Sequence, residues 1–167
     1  MRWIVLFAAS GMLAACGGSE SPQSADATLD STPSSTSTSN DAPANVETVD
    51  LSFLPAPFSE ANYDAGRRQF RRCGSCHTVT ADGGNRVGPN LYGLFGRQIG
   101  TAENFDYSTT LENADFIWTG EQLDAWLTNP REFLPGNRMS FVGLRNEEDR
   151  RDVIGYLMYE TGYQSEN

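Results

Sequence analysis

The 167-residue chain has no lysine, a single histidine and only three cysteines. Its twelve basic residues are therefore all arginine, and 22 acidic residues give a formal net charge of −10. A protein that binds the phosphates of a nucleic acid needs a net basic surface, so this charge excludes a nucleic-acid partner. A zinc site with four side-chain ligands is also poorly supplied, because so few histidines and cysteines are present.

The chain also lacks an apolar run of the roughly 20 residues that a membrane-spanning helix needs. A shorter run, residues 3–15, follows Met1-Arg2 and is typical of a secretory signal. The segment Leu13-Ala14-Ala15-Cys16 resembles a bacterial lipobox, which implies a signal peptide over 1–15 and a diacylated Cys16. The alternative is an ordinary signal with an incidental cysteine, although an unpaired thiol would be a liability in an oxidising compartment.

Large apolar residues are scarce between residues 17 and 57, where Ser, Thr, Asp, Ala and Pro dominate. Such a composition predicts a disordered tether over residues 16–57, with a mean span of about 35 Å if it behaves as a flexible coil. Residues 58–167 have the composition of one ordinary globular domain. We therefore expect a periplasmic or otherwise extracytoplasmic protein, anchored to a membrane through the lipid on Cys16.

The segment Cys73-Gly74-Ser75-Cys76-His77 is the C-x-x-C-H pattern of c-type haem attachment. Two thiols at this spacing reach the two vinyl groups on one edge of a porphyrin, and His77 can then supply an imidazole nitrogen to the iron. A thioredoxin-type pair is the main rival interpretation, but the Gly- and Pro-rich sequence after His77 shows no strand pattern. We predict one haem c, covalently bound through Cys73 and Cys76.

Met139 is the candidate for the sixth iron ligand. A second histidine ligand is impossible, because His77 is the only histidine in the chain. Met1 and Met12 belong to the predicted signal, and Met158 lies in the apolar periodicity of a helix and is expected in the core. Met139 lies in a Pro- and Gly-rich segment, and a thioether ligand would raise the reduction potential.

From about Gly66 to Tyr159 the sequence resembles class I cytochromes c of the mitochondrial and bacterial soluble type. The motifs that carry the resemblance are Gly66-x-x-x-Phe70, Cys73 to His77, Gly88-Pro89-Asn90-Leu91-x-Gly93-Leu94-Phe95-Gly96-Arg97, Tyr107, Trp118, Asn129-Pro130 and Pro135-Gly136-x-x-Met139-x-Phe141. The resemblance implies that the Pro89 carbonyl supports the His77 ring. It also implies propionate contacts and a cover over the haem edge, from Arg97, Tyr107, Trp118 and Phe141. The chain departs from common family residues at Leu111, Trp126 and Asn137.

The expected fold is all-α, a class I cytochrome c fold of three to five helices around the haem. Ser59 is predicted to cap a first helix and Asn146 to cap the last one. A third helix is predicted over roughly 119–129, ending before a proline. Gly66 and Gly155 suggest a close crossing of the first and last helices.

The resemblance implies a monomeric single-haem electron carrier and not an enzyme. The predicted partners are a cytochrome bc-type donor and a cytochrome oxidase or a reaction centre. Five arginines fall where relatives carry the lysines around the exposed haem edge, and we expect them to dock these partners: Arg72, Arg86, Arg131, Arg138 and Arg145. Two alternatives stay open, a haem subunit of a dehydrogenase or reductase complex and a sensor or peroxidase with an open sixth site.

Overall fold

The computed structural model describes residues 49–164, which form an all-α domain and confirm the expected fold class. The five α-helices are α1 (Tyr63–Phe70), α2 (Thr109–Glu112), α3 (Gly120–Thr128), α4 (Pro130–Phe133) and α5 (Glu147–Glu160). A 3-10 turn at Phe58–Glu60 precedes them. Extended pairing within this range is limited to one isolated bridge between Gln98 and Ile117. None of the helices described combines the length and apolar composition needed to cross a bilayer. The predicted signal (1–15), Cys16 and the tether up to residue 48 lie outside the described residues.

Local capping explains where the longer helices begin. The Asn146 side chain accepts from the Asp149 amide at 3.1 Å, which confirms the predicted cap of α5. Thr119 caps α3 in the same way through the Gln122 amide at 3.2 Å. The prediction for α1 is wrong: Ser59 lies in the 3-10 turn, and the cap is Asn62.

The crossing of α1 and α5 depends on Gly66. A Cβ atom at Gly66 would lie 2.1 Å from the Asp152 carbonyl oxygen and 2.7 Å from the Tyr156 Cβ, so the two helices are in backbone contact there. The expected crossing is therefore confirmed at Gly66. Gly155 makes a different close approach, because its Cβ would meet the Ala61 Cβ at 2.5 Å, just before α1 begins.

The packed domain begins earlier than its predicted start at residue 58. Leu51 and Leu54 are each 4% exposed and Phe58 is 3% exposed, so these side chains belong to the core. The Phe58 ring fills the space beside Gly120, where a Cβ would lie 2.2 Å from a ring carbon. We call residues 49–58 the N-terminal strap. The last nine residues assigned to the tether are thus part of the domain.

Helix α5 is buried along most of its length and separates the N-terminal strap from the interior cavity described below. Val153 and Leu157 face that cavity, whereas Gly155 lies against the strap. Near the start of α5, Arg150 is 8% exposed and pairs with Asp124 of α3, with Nε and Oδ1 2.7 Å apart. The same guanidinium donates to the Leu144 carbonyl at 2.9 Å, so one side chain ties two helices and a loop together.

Candidate functional site

A largely apolar cavity of about 660 Å³ lies inside the domain. Cys73, Cys76 and His77 all line it, and so does Met139, which is more than 60 residues away in sequence. The other predicted site residues on its wall are Pro89, Arg97, Tyr107, Trp118 and Phe141. The fold therefore brings every residue predicted to hold a haem to one cavity.

The two cysteines follow α1 directly. The last carbonyl of that helix, on Phe70, accepts from the Cys73 amide at 2.8 Å and from the Gly74 amide at 2.9 Å. This tight turn continues as His77 donates its amide to the Cys73 carbonyl at 2.9 Å. Burial raises the pKa of the Cys73 thiol to about 11, and nearby Arg72 lowers it in part. The motif is thus presented on a short, hydrogen-bonded extension of the helix.

The His77 ring is fixed from behind. Its Nδ1 donates to the Pro89 carbonyl oxygen at 2.8 Å, as the resemblance implied. This bond sets the tautomer, because a neutral ring protonated on Nδ1 has its lone pair on Nε2, the form that binds a metal. Burial lowers the pKa of His77, and the hydrogen bond to Pro89 opposes that shift. Gly88 completes the support, since a Cβ there would lie 2.3 Å from the ring.

Met139 is held through its neighbour Asn137. The Asn137 side chain donates to the Pro130 carbonyl at 2.7 Å and to the Leu134 carbonyl at 2.9 Å, and its Oδ1 accepts from the Met139 amide at 2.9 Å. The Asn137 side chain therefore ties the loop that follows α4 back to α4 itself. Asn137 is one of the three departures named above, and here it makes three hydrogen bonds that set the course of the methionine-bearing loop.

The cavity wall also carries polar side chains. Arg97 donates to the Tyr92 carbonyl at 3.2 Å and to the Asn90 carbonyl at 3.1 Å, and burial lowers its pKa. Burial raises the pKa of Tyr107, so its hydroxyl stays protonated. Ser108 lines the same cavity, and its hydroxyl oxygen is buried without a hydrogen-bond partner in the part of the chain that the structure describes.

These features fit a haem c. The apolar wall suits the flat face of a porphyrin. The two thiols and His77 lie in one short segment of that wall. The unpartnered Ser108 hydroxyl calls for a polar group of a ligand, because a buried hydroxyl without a partner costs about 1–3 kcal/mol. Arg97 adds a positive charge to the wall of the same cavity, which suits a carboxylate such as a haem propionate.

Aromatic side chains build the wall around Trp118 and Trp126. Their rings meet edge to face with centroids 5.6 Å apart, and Phe116 and Phe133 extend the cluster at 5.0 Å from Trp118 and 5.9 Å from Trp126. Phe133 is the last residue of α4, directly before the methionine-bearing loop. The three departures Leu111, Trp126 and Asn137 all line the cavity, so this chain's own residues shape its wall.

The predicted docking arginines are all exposed: Arg72, Arg86, Arg131, Arg138 and Arg145. Three of them, Arg72, Arg86 and Arg138, also line the cavity, and the other two do not. Arg138 forms an ion pair with Asp106 at 3.2 Å, which offsets its charge. Arg86 donates to the Gly74 carbonyl at 2.6 Å and so lies close to the cysteine motif. The structure thus places the basic Arg86 beside the cysteine motif, whereas the charge of Arg138 is offset by Asp106.

Two parts of the site were missed at the level of sequence. Ser108 was not identified, although it stands immediately before a short helix and next to Tyr107, where a serine is usually interpreted as a cap. Its side chain makes no cap hydrogen bond in the structure. The bracing role of Asn137 was also missed. Its side chain bonds to three backbone groups that come together only when the loop is folded, and no sequence motif marks them.

Comparison with known proteins places residues 63–160 within the family model described as Cytochrome c. The chain is 38% identical to a cytochrome c of Kluyveromyces lactis over 106 residues, which cover 63% of this chain and 96% of that protein. It is 42% identical to a cytochrome c of Ginkgo biloba over 113 residues, covering 65% of this chain and 100% of that protein. Identity to a cytochrome c of Guizotia abyssinica is 41% over 111 residues, covering 66% and 98%.

Proposed function

This chain belongs to the cytochrome c family, and we propose that it is a membrane-tethered carrier in which His77 and Met139 ligate the haem iron. As a member of the family it is a single-haem electron carrier and not an enzyme, and its haem c is covalently bound through cysteine. One observation carries the proposed ligation: Cys73, Cys76, His77 and Met139 line the same cavity.

Haem c supplies the electron chemistry, since its iron alternates between the ferric and ferrous states. The residues of the chain set the conditions for that exchange. Pro89 holds His77 in one tautomer, and Asn137 holds the loop that carries Met139. Arg97 and the Ser108 hydroxyl would stabilise the charge of a haem propionate. With both axial positions taken by side chains, no open site for a substrate is left.

The ligation is tested by replacing Met139 in the haem-loaded protein. Met139→Ala removes the thioether, so the ferric spectrum should change from low-spin to high-spin and the reduction potential should fall. Met158→Leu is the matched control, because Met158 is 1% exposed and lies in the core outside the cavity wall. An unchanged low-spin spectrum in Met139→Ala would refute the proposed ligand.

The proposed anchor is a lipid on Cys16 after removal of residues 1–15. The lipobox-like sequence supports it, together with a composition over residues 17–48 that favours a flexible tether. The N-terminal strap lies on the side of α5 that faces away from the cavity. A tether that joins the domain there would lie on the other side of α5 from the cavity. Mass spectrometry of the mature N-terminus should find a diacylated cysteine, and Cys16→Ala should release the protein from membranes. A membrane-bound Cys16→Ala variant would exclude this anchor.

The proposed partners are a cytochrome bc-type donor and a cytochrome oxidase or a reaction centre as acceptor. Support comes from Arg72 and Arg86, which are exposed, line the cavity and form no ion pair within residues 49–164. Such charges steer association with an acidic partner, so the electron-transfer rate should fall as salt rises. Arg72→Gln with Arg86→Gln should weaken that dependence. Arg67→Gln is the control, because Arg67 pairs with Asp64 away from the cavity.

Tight copurification with a catalytic subunit, with no exchange between membrane complexes, would instead favour the haem subunit of a dehydrogenase or reductase. If the arginine double variant matches the wild type in electron-transfer rate and salt dependence, the proposed docking surface is wrong. The carrier function and the haem site would be unaffected by that result.

A further inference from the structure

The N-terminal strap presents an uncharged surface to solvent. From Leu51 to Ser59 the chain has no charged residue, although 20% of the residues of the whole chain are charged. Leu51, Leu54 and Phe58 point into the core. The exposed residues of the strap in this stretch are Ser52, Phe53, Pro55, Ala56 and Pro57, and all but the serine are apolar.

A second exposed ring, from α5, joins this surface. The ring centroids of Phe53 and Tyr159 are 6.4 Å apart, within the range of aromatic contact. Phe53 is 51% exposed and Tyr159 is 44% exposed, so both rings face solvent over much of their area. Single exposed apolar residues are ordinary, but a contiguous apolar patch marks an interaction surface. We call Tyr159 and the exposed strap residues 52, 53 and 55–57 the strap patch.

The strap patch lies on the side of α5 that faces away from the cavity. A Cβ on Gly155 would lie 3.6 Å from the Leu51 side chain of the strap, and Tyr159 follows Gly155 by four residues, on the same helix face. Val153 and Leu157 line the cavity. Each stands two residues before Gly155 or Tyr159, which is a turn of about 200° around the helix axis. A partner that covers the strap patch therefore leaves the cavity on the other side of α5.

The proposed anchor determines which partner meets this patch. The described chain begins at Val49, four residues before Phe53, and residues 17–48 join it to the proposed lipid on Cys16. A flexible tether of this length holds the strap within roughly 30 Å of the membrane. Such a distance corresponds to an effective concentration in the millimolar range. A contact with lipid that is too weak to capture a free protein is therefore populated in the anchored one.

We propose that the strap patch rests on the lipid surface of the membrane that holds Cys16, an inference that depends on the anchor proposed above. The Phe53 and Tyr159 rings would lie at the level of the lipid headgroups, where aromatic side chains are favoured. The formal net charge of −10, with Asp50 and Glu60 on either side of the uncharged stretch, opposes binding to anionic lipids. The contact is therefore apolar, suits a zwitterionic lipid such as phosphatidylcholine, and does not depend on salt. It turns the cavity towards the aqueous phase.

The test measures how accessible the two rings are in the anchored protein. The haem-loaded full chain is reconstituted into phosphatidylcholine vesicles and exposed to hydroxyl radicals, and side-chain oxidation is mapped by mass spectrometry. The Cys16→Ala chain, mixed with the same vesicles, gives the rates of the free protein. Oxidation of Phe53 and Tyr159 should fall by half or more in the anchored protein, at low and at high salt. Val142 is the internal control, because it is 90% exposed and follows Phe141 of the cavity wall, so its rate should not change.

A variant at Phe53 separates the lipid contact from the anchor. Phe53→Ser changes a half-exposed side chain, so the domain should fold and the chain should still float with the vesicles through Cys16. With one ring of the patch gone, Tyr159 should be oxidised at the same rate in the anchored chain as in the same variant carrying Cys16→Ala. Val142→Ser is the matched control and should leave Tyr159 protected.

The outcomes distinguish the two proposals. Equal oxidation of Phe53 and Tyr159 in the anchored and free wild-type chains would overturn the lipid contact and leave the anchor standing. A wild-type chain that does not float with vesicles would refute the anchor, and the lipid contact with it. Protection of the two rings that appears without vesicles and grows with protein concentration would show that the patch joins two copies of this chain, which also contradicts the proposal.

Discussion

The contact between α1 and α5 gives the sharpest test of the packing, through Gly66→Ala. A Cβ at this position would lie 2.1 Å from the Asp152 carbonyl oxygen, where an ordinary contact begins at 3.4 Å. The clashing atom is a backbone oxygen and cannot rotate away as a side chain could. The two helices, which are in tight contact here, must therefore move apart by more than 1 Å. That movement would also stretch the hydrogen bond, 2.9 Å long, from the Asn62 amide to the Asp152 side chain.

Two effects of opposite sign determine the size of the change. Overpacking of a tight contact costs roughly 1–3 kcal/mol and sometimes more, and a clash with backbone belongs at the upper end. Alanine has a better helix propensity than glycine by about 1 kcal/mol, which offsets part of that cost. We therefore expect the free energy of unfolding to fall by about 2 kcal/mol. For a domain of this size the melting temperature should fall by about 10 °C.

The measurement is urea and thermal unfolding of the haem-loaded protein, followed by circular dichroism. Gly84→Ala is the matched control, because a Cβ at Gly84 meets no atom within 4 Å and should change stability by less than about 0.5 kcal/mol. A Gly66→Ala variant as stable as the control would refute the backbone contact between α1 and α5.

Three further changes test other parts of the structure. Starting the chain at residue 58 removes the buried Leu51 and Leu54 and should lower the free energy of unfolding by about 3–6 kcal/mol, whereas a start at residue 49 should leave it unchanged. Arg150→Met leaves Asp124 and two backbone carbonyls without their donor, which should cost about 3 kcal/mol in urea unfolding, with Arg150→Lys in between. The raised pKa of Tyr63 favours the folded state below pH 10.0, the ordinary value for tyrosine, and this contribution is lost as pH rises further. Stability measured against pH should therefore fall above pH 10, and less steeply in Tyr63→Phe; equal slopes would contradict the shift.

Much of the fold could be predicted because its signals are local. The cap of α5 was predicted from Asn146 and the end of α3 from the proline that follows Asn129, and both signals act within one helical turn. The start of the domain was not predictable in this way. Leu51 and Leu54 stand in a stretch without helical or strand periodicity. Leu51 is buried against Gly155 of α5, and Leu54 belongs to the same core cluster. Ser59 is not the cap because it lies within the 3-10 turn, and the side chain that accepts from the first turn of α1 is Asn62.

The residues of the site also fall into two groups, those that a local motif reveals and those that only the folded structure reveals. The short cysteine motif and His77 are contiguous, so sequence alone could point to a covalently bound haem. The inference that Met139 completes the ligand set came from eliminating the other methionines, and the structure places it on the cavity wall. Ser108 and the bracing of the loop by Asn137 were out of reach, because each depends on distances between residues that no motif relates.

The most direct test of the central claim is an optical redox titration of the haem-loaded protein. His77 and Met139 ligation predicts a low-spin spectrum, a thioether-to-iron charge-transfer band at the red end of the ferric spectrum, and a clearly positive reduction potential. A high-spin ferric spectrum, or a markedly negative potential, would show that Met139 does not bind the iron. The proposed axial ligation would then be wrong.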